Sequence, residues 1–120
     1  MVESEMTQSG PLAGVRVLAF TQIVAGPFAG VVLSDFGAEV IKVEPISGEY
    51  YRNVAAVIPD HGKRWQSLNR GQKSISVDLQ DPKGIDVIHK IIKGFDAVVI
   101  NFRPGVAERL GIGYEDLSTI

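Results

Sequence analysis

The sequence predicts an α/β fold, a Rossmann-like and mostly parallel sheet with flanking helices. Short apolar runs of the kind that form doubly buried parallel strands recur along the chain. Several of the segments that follow them carry apolar residues at helical spacing and the signals of helix ends. Tight connections join the first strand, helix and strand, as a right-handed βαβ unit requires.

The first βαβ unit occupies the residues up to Glu44. The apolar run Val15–Phe20 predicts a strand, and Pro27 stands in the first turn of the helix that follows the loop TQIVAGP. Gly37 suits the left-handed cap after the last turn, and Glu39–Glu44 is the second predicted strand. The helix carries these apolar residues at helical spacing: Phe28, Val31, Val32 and Phe36.

The alternation resumes after a long irregular segment. Residues 44–65 mix glycine, proline, aromatic and charged residues over a length that is more often functional or ordered by a partner than inert. Lys73–Leu79 alternates as a strand does, and Asp81 and Pro82 are a good N-cap and first helical residue. Gly94 ends this helix. Its apolar face comprises Ile85, Ile88, Ile91 and Ile92.

The last part of the chain predicts a strand and two short helices. Asp96–Phe102 is the fourth strand, and Val106–Gly111 forms a helix after the Pro-Gly turn. Residues 114–120 have the composition of a helix start, and no further strand follows them. We therefore expect a truncated chain, with residues 1–10 as a disordered lead-in and residues 11–120 as part of one domain.

Composition and charge exclude several classes of protein. The 120 residues are 45% hydrophobic and 22% charged, close to the soluble globular average. The net charge of −2 gives no general attraction to nucleic acid or to anionic membranes. The absence of cysteine excludes disulfides and thiolate chemistry. His61 and His89 lack metal-ligand spacing, so no metal site is predicted.

Membrane and targeting signals are also absent from the sequence. No apolar run approaches the roughly 18–20 residues of a spanning helix, and the polar, acidic N-terminus is unlike a secretory or mitochondrial signal. The sequence therefore predicts a cytoplasmic protein without a membrane partner. We expect His61 to be a solvent-facing loop residue and His89, in an amphipathic helix, to be structural.

A ligand site is predicted at the carboxyl ends of the strands, where loops and helix N-termini converge in an open parallel sheet. Four segments reach that edge: TQIVAGP, EPISGEYYR, VDLQ and NFRPGVAER. The first loop has a single glycine, so it is not a G-x-G-x-x-G fingerprint, and no Walker A motif is present. A plain strand-helix turn is the favoured interpretation of this loop taken alone.

The segment NFRPGVAER leaves two interpretations open. Arg103 and Arg109 lie on either side of its turn, where they suit a shared anion, while Asn101 supplies a hydrogen-bonding amide and Phe102 a flat face for a base. The alternative is a surface ion pair of Arg109 with a neighbouring glutamate and a core position for Phe102. The residues alone favour neither interpretation.

Other polar residues have structural and functional interpretations side by side. Arg70 and Lys73 flank a turn that is either solvated or a contact for phosphate, and the solvated turn is favoured. Four carboxylates are candidates for acid–base chemistry, each with a structural alternative: Asp35, Glu44, Asp78 and Asp96.

Three stretches in series carry a specific resemblance to a known family. They are PLAGVRVLAFTQIVAGPFAGVVLSDFGAEVIKVEP, NRGQKSISVDLQDPKG and NFRPGVAERLGIGYEDL. In order and spacing they resemble the opening of the family III CoA-transferases, the group of formyl-CoA transferase, carnitine CoA-transferases and α-methylacyl-CoA racemase. The match runs from about Pro11 to the last residue.

This resemblance implies an enzyme that moves coenzyme A between an acyl-CoA and a carboxylic acid. In such enzymes an aspartate carboxylate attacks the acyl thioester, giving a mixed anhydride and then an enzyme thioester. That aspartate is expected beyond residue 120, so the chain alone is expected to be inactive. The resemblance also implies a Rossmann-like large domain, an interlocked homodimer, CoA as substrate and no permanently bound cofactor.

The resemblance further implies which residues contact CoA. Gln22 lies near the reacting end, and Val24 and Ala25 lie against the cofactor. Arg109 binds a phosphate. The remaining contacts surround the adenosine portion: Val77, Asp78, Leu79, Gln80, Asn101, Phe102 and Arg103.

Two alternative functions remain open at this stage. A racemase of the same family has the same fold and cofactor but moves the acidic proton α to the thioester. A free-standing CoA-binding module would have no catalysis at all.

Overall fold

The computed structural model describes residues 9–59 and 62–120. Residues 1–8 of the predicted lead-in (residues 1–10) and the predicted loop residue His61 lie outside the described residues. The regular elements are β1 (Arg16–Phe20), α1 (Ala25–Asp35), β2 (Glu39–Glu44), α2 (Lys63–Asn69), β3 (Lys73–Ser76), α3 (Pro82–Ile91), β4 (Ala97–Ile100), α4 (Val106–Leu110) and α5 (Tyr114–Ser118). Short 3-10 turns occur at Tyr50–Arg52 and Ile92–Gly94.

The four strands form one parallel sheet in the order β3-β2-β1-β4. The predicted α/β, parallel architecture is therefore confirmed. The chain moves outward from β1 to β3 and then returns through α3 to the other side of β1. The strand order reverses between β1 and β4, which is the switch point where ligands bind in doubly wound sheets.

Alternate residues of β1 face the two sides of the sheet and build two cores. Leu18 and Phe20 pack in a cluster with Ile88 of α3 and Ala107 of α4. Val17 and Ala19 lie in a second cluster on the opposite face of the sheet, which includes Leu33 of α1 among its partly buried members. Both faces of β1 are covered, and this explains why Val17–Phe20 is a continuous apolar run.

The predicted ends of α3 agree with the structure. The side chain of Asp81 accepts a hydrogen bond from the Lys83 N–H at 2.9 Å, and Pro82 is the first helical residue. Ile88 and Ile92 are buried in the core, as their spacing predicts. The strand after the irregular segment is shorter than expected, since only Lys73–Ser76 pairs with β2.

The apolar residues of α1 are not all directed to the core. Phe28 and Phe36 are 57% and 51% exposed, whereas Val31 is buried. The face of α1 that packs on the molecule also includes Gly26, Pro27 and Gly30. These small residues permit close approach, and Gly30 leaves space for the side chain of Gln72, which donates to the Pro27 carbonyl at 3.1 Å.

A helix that the sequence pattern did not reveal begins at the end of the segment predicted to be irregular and continues beyond it. α2 begins at Lys63, after Gly62 at its N-cap position, and packs against α1. Two features hold the segment before it. Arg52 donates a two-pronged hydrogen bond to the Glu44 carboxylate at 2.6 Å, and its guanidinium lies 3.7 Å from the centroid of the Trp65 ring.

Candidate functional site

A groove of about 890 Å³ runs along the carboxyl edge of the sheet. Residues at the ends of all four strands line it, so the open parallel topology produces one shared site. Residues of α3 and α4 complete its wall. The lining at the strand ends includes Thr21, Gln22, Glu44, Pro45, Val77, Asp78, Leu79, Gln80 and Phe102.

The backbone of the loop after β1 is held by Asn101. The Gln22 N–H donates to Asn101 Oδ1 at 2.9 Å, and Asn101 Nδ2 donates to the Gln22 carbonyl at 2.9 Å. The side-chain amide thus pairs with Gln22 much as a neighbouring strand would, beyond the last β1–β4 pair. Gly26 permits this approach, because a Cβ there would lie 2.7 Å from Asn101 Cγ.

The turn between β3 and α3 forms another wall of the groove. Asp78 Oδ1 accepts a hydrogen bond from the Gln80 N–H at 2.9 Å, which closes a local turn. Gly84, in the first turns of α3, lies directly against this wall. A Cβ at that position would be 1.9 Å from the Asp78 carbonyl oxygen. The helix and the wall are therefore packed backbone against backbone.

Arg109 of α4 brings positive charge to the groove. Its side chain is exposed, and its guanidinium makes no ion pair or hydrogen bond with any residue that the structure describes. The expected alternative, a surface ion pair with Glu108 or Glu115, is thus not formed. Phe102 lines the same groove and also packs on the edge of the larger core.

The groove brings together many of the residues that the sequence predicts as CoA contacts, but not all of them. Val24, Ala25 and Arg103 are exposed and do not line it, and Asn101 is engaged with Gln22. The predicted contacts that line the groove are Gln22, Val77, Asp78, Leu79, Gln80, Phe102 and Arg109.

Glu44, at the end of β2, is ionised and structural. Burial alone would raise the pKa of its carboxyl, but hydrogen bonds from Arg52, from Ser74 and from the Glu49 N–H outweigh this effect and lower the pKa to about 2. Its side chain is 1% exposed. A carboxylate with this many donors is a poor proton acceptor at neutral pH, which argues against a role in acid–base chemistry.

A buried ion pair between Lys42 and Glu49 lies beside the ion pair between Glu44 and Arg52. Lys42 Nζ is 2.6 Å from Glu49 Oε2 and 2.7 Å from Asn69 Oδ1. The side chains of Lys42 and Glu49 are 1% and 2% exposed. Burial lowers the pKa of the Lys42 ammonium, and the hydrogen bond to Glu49 opposes this shift. The other oxygen of Glu49 accepts the Ile23 N–H at 2.7 Å.

Several other candidate residues are engaged away from the groove. Arg70 pairs with both carboxylate oxygens of Asp35 at 2.6 and 2.8 Å, and Lys73 pairs with Glu39 at 2.6 Å. The turn that they flank is thus a surface turn with ion pairs, in agreement with its structural interpretation. Asp96 likewise has a structural role, since it accepts the Arg16 N–H at 2.9 Å.

Comparison with known proteins identifies the family. The family model of CoA-transferase family III matches residues 12–120. The chain belongs to this family. Human succinyl-CoA:glutarate CoA-transferase is 41% identical over 120 residues, which cover 98% of this chain and 27% of the human protein. A probable fatty acyl-CoA transferase of Mycobacterium tuberculosis, Rv3272, is 46% identical over 110 residues, 89% of this chain and 28% of its own length.

Solved structures of this family have the same fold. A crystal structure of Rv3272 superposes with a TM-score of 0.85 at 46% identity, over 93% of this chain and 31% of the other. A CAIB/BAIF family protein from Brucella suis gives a TM-score of 0.84 at 32% identity, with 93% and 31% covered. The predicted family is confirmed, and the chain spans less than a third of the length of these relatives.

The sequence did not identify all of the residues that line the groove. Glu49 lies in EPISGEYYR, a segment expected at this edge, but no periodicity distinguishes it from its neighbours, so it was not predicted as a lining residue. The positions in the first turns of α3 and α4 carried a usable signal, because the first turns of helices after parallel strands face the ligand edge, whereas Leu110 and Gly111 at the end of α4 carried none. These further lining residues are Pro82, Ile85, Asp86, Val106, Glu108, Leu110 and Gly111.

Within the described residues, the searches for metal and membrane features give no candidate. No group of three or more histidine, aspartate or glutamate side chains there is arranged to hold a metal ion. None of the helices in residues 9–59 and 62–120 has the length and apolarity needed to cross a membrane. His89 has a structural contact, since its Nε2 lies 2.8 Å from the Gly111 carbonyl oxygen.

Proposed function

We propose that this chain supplies CoA-binding residues to a CoA-transferase that moves coenzyme A between an acyl-CoA and a carboxylic acid. Membership of the family supports this, and the relatives include proteins named as succinyl-CoA–D-citramalate and formyl-CoA:oxalate CoA-transferases. The observation that carries the proposal is the Arg109 guanidinium, exposed and without a partner among the described residues, on a groove formed by all four strand ends.

The chemistry of CoA matches the walls of this groove. Its phosphates are anions that a guanidinium binds with two parallel hydrogen bonds, so we assign one phosphate to Arg109. Phe102 offers an aromatic surface to the adenine ring, and the wall Val77–Gln80 lies beside the adenosine. We assign Gln22, whose backbone is held by Asn101, to the region near the thioester, and Val24 and Ala25 to the pantetheine arm.

The reaction proceeds through an aspartyl anhydride and an aspartyl thioester. The carboxylate attacks the thioester carbonyl carbon, the C–S bond breaks, and the CoA thiolate leaves. The thiolate then attacks the aspartyl carbonyl of the anhydride, which releases the first carboxylic acid as its anion. The second carboxylate repeats the two steps in reverse and leaves as the new thioester. No external oxidant or reductant is required.

Three carboxylates of the groove, Glu44, Glu49 and Asp78, are not assigned this nucleophilic role. Glu44 and Glu49 are held in buried ion pairs, and Asp78 accepts a hydrogen bond from the adjacent backbone. We place the aspartate outside the described groove, in agreement with the family resemblance. The proposal also includes a cytoplasmic, interlocked homodimer with no permanently bound cofactor, no nucleic-acid partner and no membrane partner; these points rest on the resemblance and on the net charge of −2.

The test is CoA binding by Arg109→Ala, measured by isothermal titration calorimetry on the complete protein. We expect affinity to fall about tenfold or more, the scale of one lost charge-assisted phosphate contact. Arg70→Ala is the matched control, because it removes an exposed guanidinium that pairs with Asp35 and does not line the groove. Equal affinities of the two variants for CoA would remove Arg109 from the site.

A further inference from the structure

We propose that Glu49 is a positioning residue for the loop after β1. Its buried carboxylate holds Ile23 in an unfavourable backbone conformation and so sets the direction of Gln22, which lines the groove, and of Val24 on the other side of Ile23. This inference rests on the proposed function, because it assigns the loop a task in binding CoA. Glu49 itself lines the groove through a buried side chain whose two oxygens are both occupied.

Ile23 is the point of strain in this loop. Its φ is 69°, in the left-handed region, and among the described non-glycine residues only Ala55 shares a positive φ. A β-branched residue rarely adopts this conformation, since its side chain crowds the backbone. Such a conformation persists only where surrounding contacts impose it, and it is concentrated at functional sites. Burial of the Ile23 side chain is incomplete, since it is 46% exposed.

Glu49 supplies the contact that imposes it. Oε1 accepts the Ile23 N–H at 2.7 Å, and Oε2 accepts Lys42 Nζ at 2.6 Å. Lys42 belongs to β2, in the interior of the sheet, where it also donates to Asn69 Oδ1 at 2.7 Å. One carboxylate therefore connects the strained loop residue to an interior strand of the sheet. A charged acceptor forms the stronger kind of hydrogen bond to an N–H.

The position of Glu49 is itself fixed from the sheet. Its own N–H donates to Glu44 Oε2 at 2.9 Å, and Glu44 receives the two-pronged hydrogen bond from Arg52. On the other side, Asn101 holds the preceding residue, Gln22, through two hydrogen bonds. The backbone at Ile23 is therefore held by Glu49 at its own N–H and by Asn101 at the preceding residue. Without the Glu49 acceptor, we expect Ile23 to relax to negative φ and the side chains on either side of it to change direction.

The decisive experiment compares two double variants that both lack the buried charges. Lys42→Met with Glu49→Gln removes the ion pair but keeps an amide oxygen that accepts the Ile23 N–H. Lys42→Met with Glu49→Leu removes the ion pair and the acceptor together. Replacement of a buried ion pair by uncharged residues of similar volume is often tolerated, so both variants are expected to fold.

Two measurements are made on the complete protein. Hydrogen exchange of the Ile23 amide is expected to be about 100-fold faster in the Leu variant than in the Gln variant. Calorimetry with CoA is expected to give a dissociation constant about tenfold higher for the Leu variant, and within about threefold of wild type for the Gln variant. Equal exchange rates in the two variants would overturn the inference.

Ile23→Gly provides a rescue that a merely structural role of Glu49 does not predict. Glycine adopts positive φ without strain. When Ile23→Gly is combined with the Leu variant, we therefore expect the dissociation constant for CoA to fall by at least about threefold. No recovery of affinity would count against the positioning role. If wild-type protein binds no CoA, the proposed function fails, whereas the exchange of the Ile23 amide still decides whether Glu49 holds the loop.

Discussion

Replacement of Gly84 by alanine tests how the groove wall is packed against α3. The added Cβ would lie 1.9 Å from the Asp78 carbonyl oxygen, and ordinary contact begins at 3.4 Å. The helix and the β3–α3 turn must therefore separate by about 1.5 Å, the difference of these two distances. The nearest atom belongs to the backbone, so no side-chain rotation relieves the contact.

Two opposing effects set the size of the change. Alanine is favoured over glycine within a helix by about 1 kcal/mol. Overpacking of a tight site costs about 1–3 kcal/mol and occasionally more, and a backbone contact of this kind belongs at the upper end. We expect Gly84→Ala to lower the free energy of unfolding by about 2 kcal/mol and, by moving Asp78, to weaken CoA binding.

Urea unfolding, followed by circular dichroism, measures the free energy of unfolding, and calorimetry with CoA measures the binding affinity. Gly94→Ala is the matched control. Its added Cβ would meet only Arg16 Nη1, the end of a partly exposed side chain and not backbone, so we expect a smaller loss, within about 1 kcal/mol. The reasoning is refuted if Gly84→Ala is as stable as wild type or as the Gly94 control.

The remaining predictions concern the buried charges. Lys42→Met alone should lower the free energy of unfolding by about 3 kcal/mol, because it leaves Glu49 buried and unpaired; urea melts should show a far smaller change for the exposed Asp35→Asn. The lowered pKa of Glu44, about 2 against an ordinary 4.5, adds stability that is present above pH 4.5 and lost as pH falls towards 2. In urea melts, the free energy of unfolding of Glu44→Gln should change by roughly 3 kcal/mol less between pH 5 and pH 2 than that of wild type. The same dependence of this free energy on pH in both proteins would contradict the assignment.

The sequence determined the parts of this protein that depend on local patterns. Apolar or alternating runs predicted four strands, and Asp81 and Pro82 predicted the start of α3, because strand burial and helix capping leave signals within a few residues of each other. The rule that parallel strands bind ligands at their carboxyl ends predicted the edge that carries the groove. The phrases ending in NFRPGVAERLGIGYEDL predicted the family.

The tertiary structure alone decided how side chains distant in sequence meet. Phe28 and Phe36 have the spacing of core residues but are exposed, because α1 packs through its small residues instead. Glu49 lies in a segment without periodicity, and its partners Ile23 and Lys42 are 26 and 7 residues away. Pairing and burial of this kind arise from the three-dimensional approach of separate segments, which no local pattern encodes. The charge network behind the groove therefore became visible only in the folded chain.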